Sequence, residues 1–229
     1  MKNQRHMVAA IEGEYRRYKS LAEGTFSQLQ ERDLVEKSTP ESLSVTQIVW
    51  HVSGNLESRF TDFLSTDGEK PWRDRESEFA ERRVSRKEML AKWERGWAVL
   101  FGALAPLSDR DLNAKVTIRA IGMTVGEALE RSLAHTSYHV GQITFLGKML
   151  RRSEWKYLSI PPGQTTAYNA NPTRERAQAP AGTGAKGASR KPAAKKGPRK
   201  TPAKARTPAG ARPKKTASKA PKKKTKGRR

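Results

Sequence analysis

Apolar side chains recur at helical spacing in four stretches of the chain. The first covers about residues 3–31, and the second runs from Ser44 to about residue 64. The third starts at Ser85 and stops at Pro106, and the fourth runs from Thr124 to about residue 150. Steps of three, four and seven residues between apolar positions indicate amphipathic helices that bury one face. The pattern predicts an all-α fold, a four-helix bundle with connections of mixed length.

The starts of three of these helices carry capping signals. Ser44 is a suitable N-cap residue for the second helix, because its hydroxyl can accept a hydrogen bond from a free backbone N–H. Ser85 is followed three residues later by Glu88, and Thr124 by Glu127. This spacing is the capping-box pattern, in which both residues satisfy backbone groups of the first turn.

The connections differ in character. Residues 65–83 form a long polar stretch, and a loop of this length in a small domain is often functional. Residues 112–119 alternate briefly and predict a short extended segment, while two prolines exclude a helix over residues 155–164 and predict an arm packed on the bundle. Four acidic side chains of the long loop are candidates for metal ligands or acid–base groups, but basic side chains alternate with them, which favours surface ion pairs instead: Asp67, Glu69, Asp74 and Glu78.

The net charge of +23 is concentrated at one end. Residues 178–229 hold 13 Lys, 6 Arg and no acidic residue, whereas the preceding 177 residues hold 27 basic and 23 acidic side chains. Apart from proline, apolar side chains larger than Ala are absent after Pro172. Such a segment cannot offset the conformational entropy lost on folding. We expect a folded body over residues 1–171 and a disordered Lys/Ala/Pro-rich tail over residues 172–229.

Composition excludes several classes of site. The chain has no cysteine, which rules out disulfides, thiolate ligands and a cysteine nucleophile. No run approaches the ~18 apolar residues of a membrane-spanning helix, and the N-terminal residues lack the apolar core of a secretory signal. These features predict a cytoplasmic protein without a membrane partner.

Three of the four histidines suggest a metal site. His135 and His139 are four residues apart, which places both imidazoles on one helix face with Cβ atoms about 5–6 Å apart. His51 lies in the second predicted helix, and three neutral imidazoles with an open fourth position are typical of a reactive metal site. The competing interpretation is that these histidines are structural side chains with separate hydrogen-bond partners. Thr136 replaces the glutamate of the HExxH pattern, so metalloprotease chemistry is excluded.

Longer segments carry a family resemblance. Residues 134–143 resemble the final helix of the DinB superfamily, in which a HxxxH pair is followed by Gly-Gln. Residues 50–56 resemble its second helix, which supplies the third histidine. Further segments are similar to one branch of that superfamily without a settled reaction: residues 55–63, 67–73, 155 and 158–161. The resemblance covers residues 1–171.

The resemblance implies a four-helix bundle with a divalent metal ion, commonly zinc or nickel, held by His51, His135 and His139. Characterised members include S-transferases that use bacillithiol and isomerases that use mycothiol, and the family is often dimeric. We therefore expect a homodimeric, metal-dependent thiol S-transferase or hydrolase, with a low-molecular-weight thiol as a candidate cofactor.

Polar residues near the histidines are candidates for supporting roles. Asn55 and Gln142 are placed to orient the metal ligands. Arg59 and Arg119 are placed to hold an anionic group of a substrate. The competing interpretation pairs these two arginines with acidic side chains: Glu57, Asp62 and Glu130.

The basic tail predicts a polyanionic partner. It resembles linker-histone tails, and neutralising phosphates releases counterions, so binding should weaken steeply with salt. No aromatic residue follows Tyr168, which excludes base stacking and favours binding without sequence preference. The candidate nucleic-acid contacts are the basic side chains of its central and terminal part: Lys191, Lys195, Lys196, Arg199, Lys200, Lys204, Arg206, Arg212, Lys214, Lys215, Lys222, Lys223 and Lys224.

Two functions remain open from the sequence. In the first, the metal-binding body is an enzyme that its tail tethers to nucleic acid, in the cytoplasm or on the nucleoid. In the second, the metal-binding body is structural, and the protein is a non-enzymatic, nucleic-acid-associated binding or sensing protein. A tail that acts only as a solubilising spacer is a further alternative.

Overall fold

The computed structural model describes residues 4–173, and this part of the chain is mainly helical. Its elements, in chain order, are α1 (His6–Phe26), α2 (Val45–Phe60), α3 (Arg75–Glu78), α4 (Arg86–Leu104), β1 (Lys115–Ile118), β2 (Ile121–Thr124), α5 (Val125–Arg151) and α6 (Thr165–Ala170). Short 3-10 turns cover Arg32–Leu34, Asp109–Asn113 and Arg152–Glu154. Within residues 4–173, no helix combines the length and apolar content needed to cross a bilayer.

The predicted helix starts are confirmed. Ser44, Ser85 and Thr124 are the N-caps of α2, α4 and α5, and each forms a capping box with the residue three positions on. α1 ends at Phe26 instead of near residue 31, because the chain turns over residues 27–29. The sequence pattern also missed the short elements α3, β2 and α6, which have four to six residues each.

The long helices bury a single apolar core. α2 packs along α4, α1 packs along α5, and α2 also contacts α5. Trp93 and Trp97 of α4 are fully buried. Gly96 allows the close approach of α4 to α2, since a Cβ there would lie 2.8 Å from the Cα of Ser53. This tight contact fixes the segment of α2 that carries His51. Of the predicted all-α four-helix bundle, the mostly helical character is confirmed, whereas β1 and β2 add a two-stranded hairpin. Residues 174–229 of the predicted tail lie outside the described residues.

The hairpin of β1 and β2 turns through two strained residues. Ile118 pairs with Ile121, which leaves Arg119 and Ala120 as a two-residue turn with φ values of 56° and 59°. A turn with positive φ at both positions usually contains Asn-Gly. The Asp67 carboxylate accepts the backbone N–H of Arg119 at 2.9 Å and of Ala120 at 2.7 Å. One acidic residue of the long loop therefore holds this turn.

Replacing Ala120 by Gly should stabilise the protein. A non-glycine residue at positive φ destabilises the folded state by about 1–2 kcal/mol, which glycine avoids. Glycine has more conformational freedom in the unfolded state, and this offsets about 0.5–1 kcal/mol of the stabilisation. We expect Ala120→Gly to raise the free energy of unfolding by about 0.5–1 kcal/mol in urea titrations. The matched control is Ala91→Gly on the exposed face of α4, which should lower stability by a similar amount. A destabilised Ala120→Gly variant would show that the turn is not strained.

Candidate metal centre

His51, His135 and His139 meet at the contact between α2 and α5. One ring nitrogen from each histidine can be chosen so that the three atoms lie within 4.8 Å of one another. Nε2 of His51 lies 3.1 Å from Nε2 of His135. Two nitrogens that share a tetrahedral ion at 2.0–2.1 Å lie about 3.3 Å apart. The three imidazoles could therefore hold a metal ion.

His135 and His139 are neutral imidazoles at neutral pH, because the pKa of each lies well below its usual value. Burial, aided by the neighbouring imidazoles, lowers the pKa of His135 to about 3. Burial, again with His51 nearby, lowers the pKa of His139 to about 4. A neutral imidazole offers a lone pair to a metal ion without first releasing a proton. The donor set thus fits a divalent cation chemically as well as geometrically.

Glu78 fixes the orientation of His51. Its Oε2 lies 2.9 Å from Nδ1 of His51, and Arg73 donates two hydrogen bonds to the same carboxylate, at 2.8 and 2.9 Å. Because the carboxylate only accepts, Nδ1 of His51 carries the proton and its Nε2 lone pair faces the other histidines. Burial opposes ionisation, but the hydrogen bonds from His51 and Arg73 hold the pKa of Glu78 below its usual value.

The prediction of a surface ion pair is wrong for Glu78, because this residue is only 6% exposed. Glu78 reaches His51 because α3 lies against α2. Gly54 leaves the necessary space, because a Cβ at that position would overlap the Glu78 carboxylate. The sequence offered one weak signal, the N-cap of α3 by Asp74, which accepts a hydrogen bond from the backbone of Ser77. That signal predicts a short helical turn but not its contact with His51.

Gln142 supports His139. Its Oε1 lies 2.7 Å from Nδ1 of His139, and its Nε2 donates to the hydroxyl of Tyr138 at 3.2 Å. The amide oxygen accepts the Nδ1 proton and leaves Nε2 of His139 free as a ligand atom. Phe79 stacks on the ring of His51, with ring centroids 4.7 Å apart. Polar and aromatic contacts thus hold two of the three imidazoles in place.

A cavity of about 220 Å³ lies beside His51 and His135. Asn55, Arg59 and Arg119 line it, as do Arg73, Arg75 and Arg131. The competing ion pairs of the sequence analysis are not those observed for Arg59 and Arg119. Both donate to Oε2 of Glu69, at 3.1 and 2.9 Å respectively. Glu57 instead pairs with Lys92 and Arg95.

One comparison identifies a family. The sequence model of the family described as "Protein of unknown function (DUF1572)" matches residues 2–164. The match includes the four long helices, the hairpin and the three clustered histidines. No curated protein and no solved structure matches the chain.

Proposed function

Since the chain belongs to the DUF1572 family, we propose that it is a DinB-like metalloprotein in which His51, His135 and His139 hold one divalent ion. The convergence of three ring nitrogens within 4.8 Å carries this proposal. The order of the ligands along the chain supports the DinB-like four-helix bundle, because the second long helix supplies one histidine and the last long helix supplies two. Zinc and nickel both accept imidazole ligands.

The proposed activity is a metal-dependent thiol S-transferase or hydrolase. A divalent ion held by three imidazoles lowers the pKa of a coordinated thiol or water toward neutrality. The chain's own residues position the ligands: Glu78 holds the tautomer of His51, and Gln142 holds that of His139. The adjoining cavity of about 220 Å³ supplies room for a small electrophilic substrate.

Metal analysis followed by activity assays tests this proposal. The purified full-length chain should contain about one divalent ion per chain after dialysis, and removal of the ion should abolish turnover. The assays combine low-molecular-weight thiols with electrophilic substrates, and water alone for hydrolysis. A chain that binds neither zinc nor nickel stoichiometrically would refute the metal site.

A structural metal site is the second candidate. Among the described residues that line the cavity, none is acidic, and the nearby Glu78 is already bound to His51 and Arg73. No free carboxylate is therefore placed there as a general acid or base. If the ion is structural, chelation should lower the thermal stability of a chain that turns over no substrate.

A homodimer is proposed on the exposed face of α5. Tyr138 and Phe145 are 64% and 63% exposed, and Met149 is 46% exposed. Their spacing of seven and four residues places them on one side of the helix, where a second copy could cover them. A monomeric mass in sedimentation equilibrium would refute the dimer.

The tail is proposed to bind nucleic acid or another polyanion without sequence preference. The 19 basic residues and the absence of acidic ones in residues 178–229 support this. Mobility-shift titrations across a salt series test it, as argued in the Discussion.

Substituting Glu78 should weaken the metal site and the fold together. Loss of a partner that orients a ligand typically costs 10–100-fold in metal affinity. Glu78→Ala also leaves the buried Arg73 without its carboxylate, which costs about 3–5 kcal/mol in the free energy of unfolding. Competition with a zinc chelator measures the first effect, and urea titration measures the second.

Two further variants control this experiment. Glu76 lies on the same helix, and its side chain is 84% exposed. Glu76→Ala should therefore change neither the zinc affinity nor the free energy of unfolding. Glu78→Gln keeps an oxygen acceptor for His51 and should weaken metal binding less than Glu78→Ala does. Unchanged zinc affinity in Glu78→Ala would contradict the assigned role of this residue.

A further inference from the structure

The cavity beside the histidines is lined by five arginines from four separate parts of the chain, since Arg73 and Arg75 lie only two residues apart. Arg59 lies on α2, Arg73 in the long loop, Arg75 at the start of α3, Arg119 in the hairpin turn and Arg131 on α5. The described lining contains no acidic residue. Arginines that converge from elements this distant in sequence are brought together only by the fold.

The nearby carboxylates do not balance these charges. Glu69 accepts from both Arg59 and Arg119, and Glu78 accepts from Arg73 while it holds His51. A surface pair joins Arg75 to Glu76. Within residues 4–173, Arg131 forms no ion pair. With Asp67, whose carboxylate holds the backbone of Arg119, five guanidinium groups lie near four carboxylates. A cavity with excess positive charge and low-dielectric walls attracts anions.

Arg119 is held at the cavity by a backbone conformation that is energetically unfavourable for a residue other than glycine. Its φ of 56° lies in the left-handed region, and the two backbone hydrogen bonds to Asp67 maintain it. Only Nε of Arg119 is engaged with Glu69, and the side chain is 54% exposed. The terminal guanidinium nitrogens can therefore donate to a ligand in the bidentate manner that carboxylates and phosphates accept.

We propose that this cavity is a binding site for a small oxyanion group, the carboxylate or phosphate of the substrate, held by Arg59, Arg119 and Arg131 beside the histidine cluster. The inference deepens the proposed function, on which it rests for the identity of the reacting group. The site also sets a size limit. Pockets for drug-sized ligands measure about 300–1,000 Å³, so a cavity of about 220 Å³ accepts a compact anion.

Calorimetric titration of the full-length chain with succinate, inorganic phosphate and uncharged succinamide tests this site. We expect one of the two anions to bind and succinamide not to bind. The anion that binds distinguishes a carboxylate site from a phosphate site. Arg119→Gln and Arg131→Gln should each weaken that binding about tenfold, because each removes charge-assisted hydrogen bonds. Every variant retains the tail, so tail binding is common to all of them.

Arg95→Gln is the matched control, since Arg95 is 64% exposed and pairs with Glu57 outside the cavity. Its affinity should equal that of the unsubstituted chain. Equal affinity in Arg119→Gln, Arg131→Gln and the unsubstituted chain would overturn the proposal, as would binding of succinamide or an equal loss in Arg95→Gln.

Metal content, measured on the same samples, separates the two proposals. Anion binding by a chain that lacks a stoichiometric metal ion would leave this site standing while the proposed function fails. A metal-loaded chain that binds neither anion would refute the anion site alone.

Discussion

A His139→Ala variant is expected to lose the bound metal ion, with content falling from about one ion per chain to less than about a tenth. Two protein ligands would remain where a catalytic site of this kind uses three. The loss should exceed the 10–100-fold decrease in affinity that follows removal of a ligand's hydrogen-bond partner. Inductively coupled plasma mass spectrometry measures the ion after reconstitution with zinc or nickel and exhaustive dialysis.

The variant should fold normally, which makes the metal measurement interpretable. His139 is 8% exposed and its main polar contact is with Gln142, a side chain that can turn toward solvent. His6→Ala is the matched control, because His6 is the exposed first residue of α1 and lies outside the cluster. Unchanged metal content in His139→Ala would show that the site is assigned wrongly. A similar loss in His6→Ala would show that the metal is bound without a defined site.

The helices were predictable because their signals are local. Ser44, Ser85 and Thr124 cap their helices through hydrogen bonds to the residue three positions later in the chain. A short sequence pattern can reveal contacts of this range. The pairing of His135 with His139 was predictable for the same reason, since helical geometry alone places them together. His51 was a candidate third ligand from the sequence, but its placement beside the pair rested on the family resemblance, because 84 residues separate it from His135.

The surroundings of the histidines were not predictable, because the long loop folds back over α2. Glu78 lies 27 residues after His51 and reaches it through α3. Glu69 likewise meets Arg119 across 50 residues, whereas the ion pairs considered from the sequence joined Arg119 to acidic side chains of the predicted helices. Alternating charges along a loop are typical of solvated surface pairs, and nothing in that pattern distinguishes the one carboxylate that becomes buried.

The same loop links the fold to the proposed chemistry. Asp67 holds the strained turn, Glu69 bridges two cavity arginines, and Glu78 orients a metal ligand. Each of these carboxylates acts on a residue that lines the cavity or the histidine cluster. Substitutions in this loop should therefore alter the site, and loss of Glu78 should lower the stability of the fold as well.

Removing the basic tail should abolish binding to nucleic acid. We expect the full-length chain to shift duplex DNA of two unrelated sequences equally at 50 mM salt, because phosphate contacts carry no sequence information. If 6–10 phosphates are neutralised, affinity should fall by about 10³–10⁵ between 50 and 200 mM salt. A chain ending after Thr173, which retains all described residues, should not shift either duplex.

Charge, not length, should account for this difference. A full-length variant with the 13 candidate tail residues Lys191 to Lys224 replaced by Gln keeps the tail length but loses most of its positive charge. It should bind DNA as weakly as the shortened chain, and its binding should depend little on salt. Both variants should retain the metal content of the full-length chain, since the three histidines lie within residues 4–173. Equal affinity of the shortened and full-length chains would contradict the tethering role, and the excess basic charge would then act only in solubility or spacing.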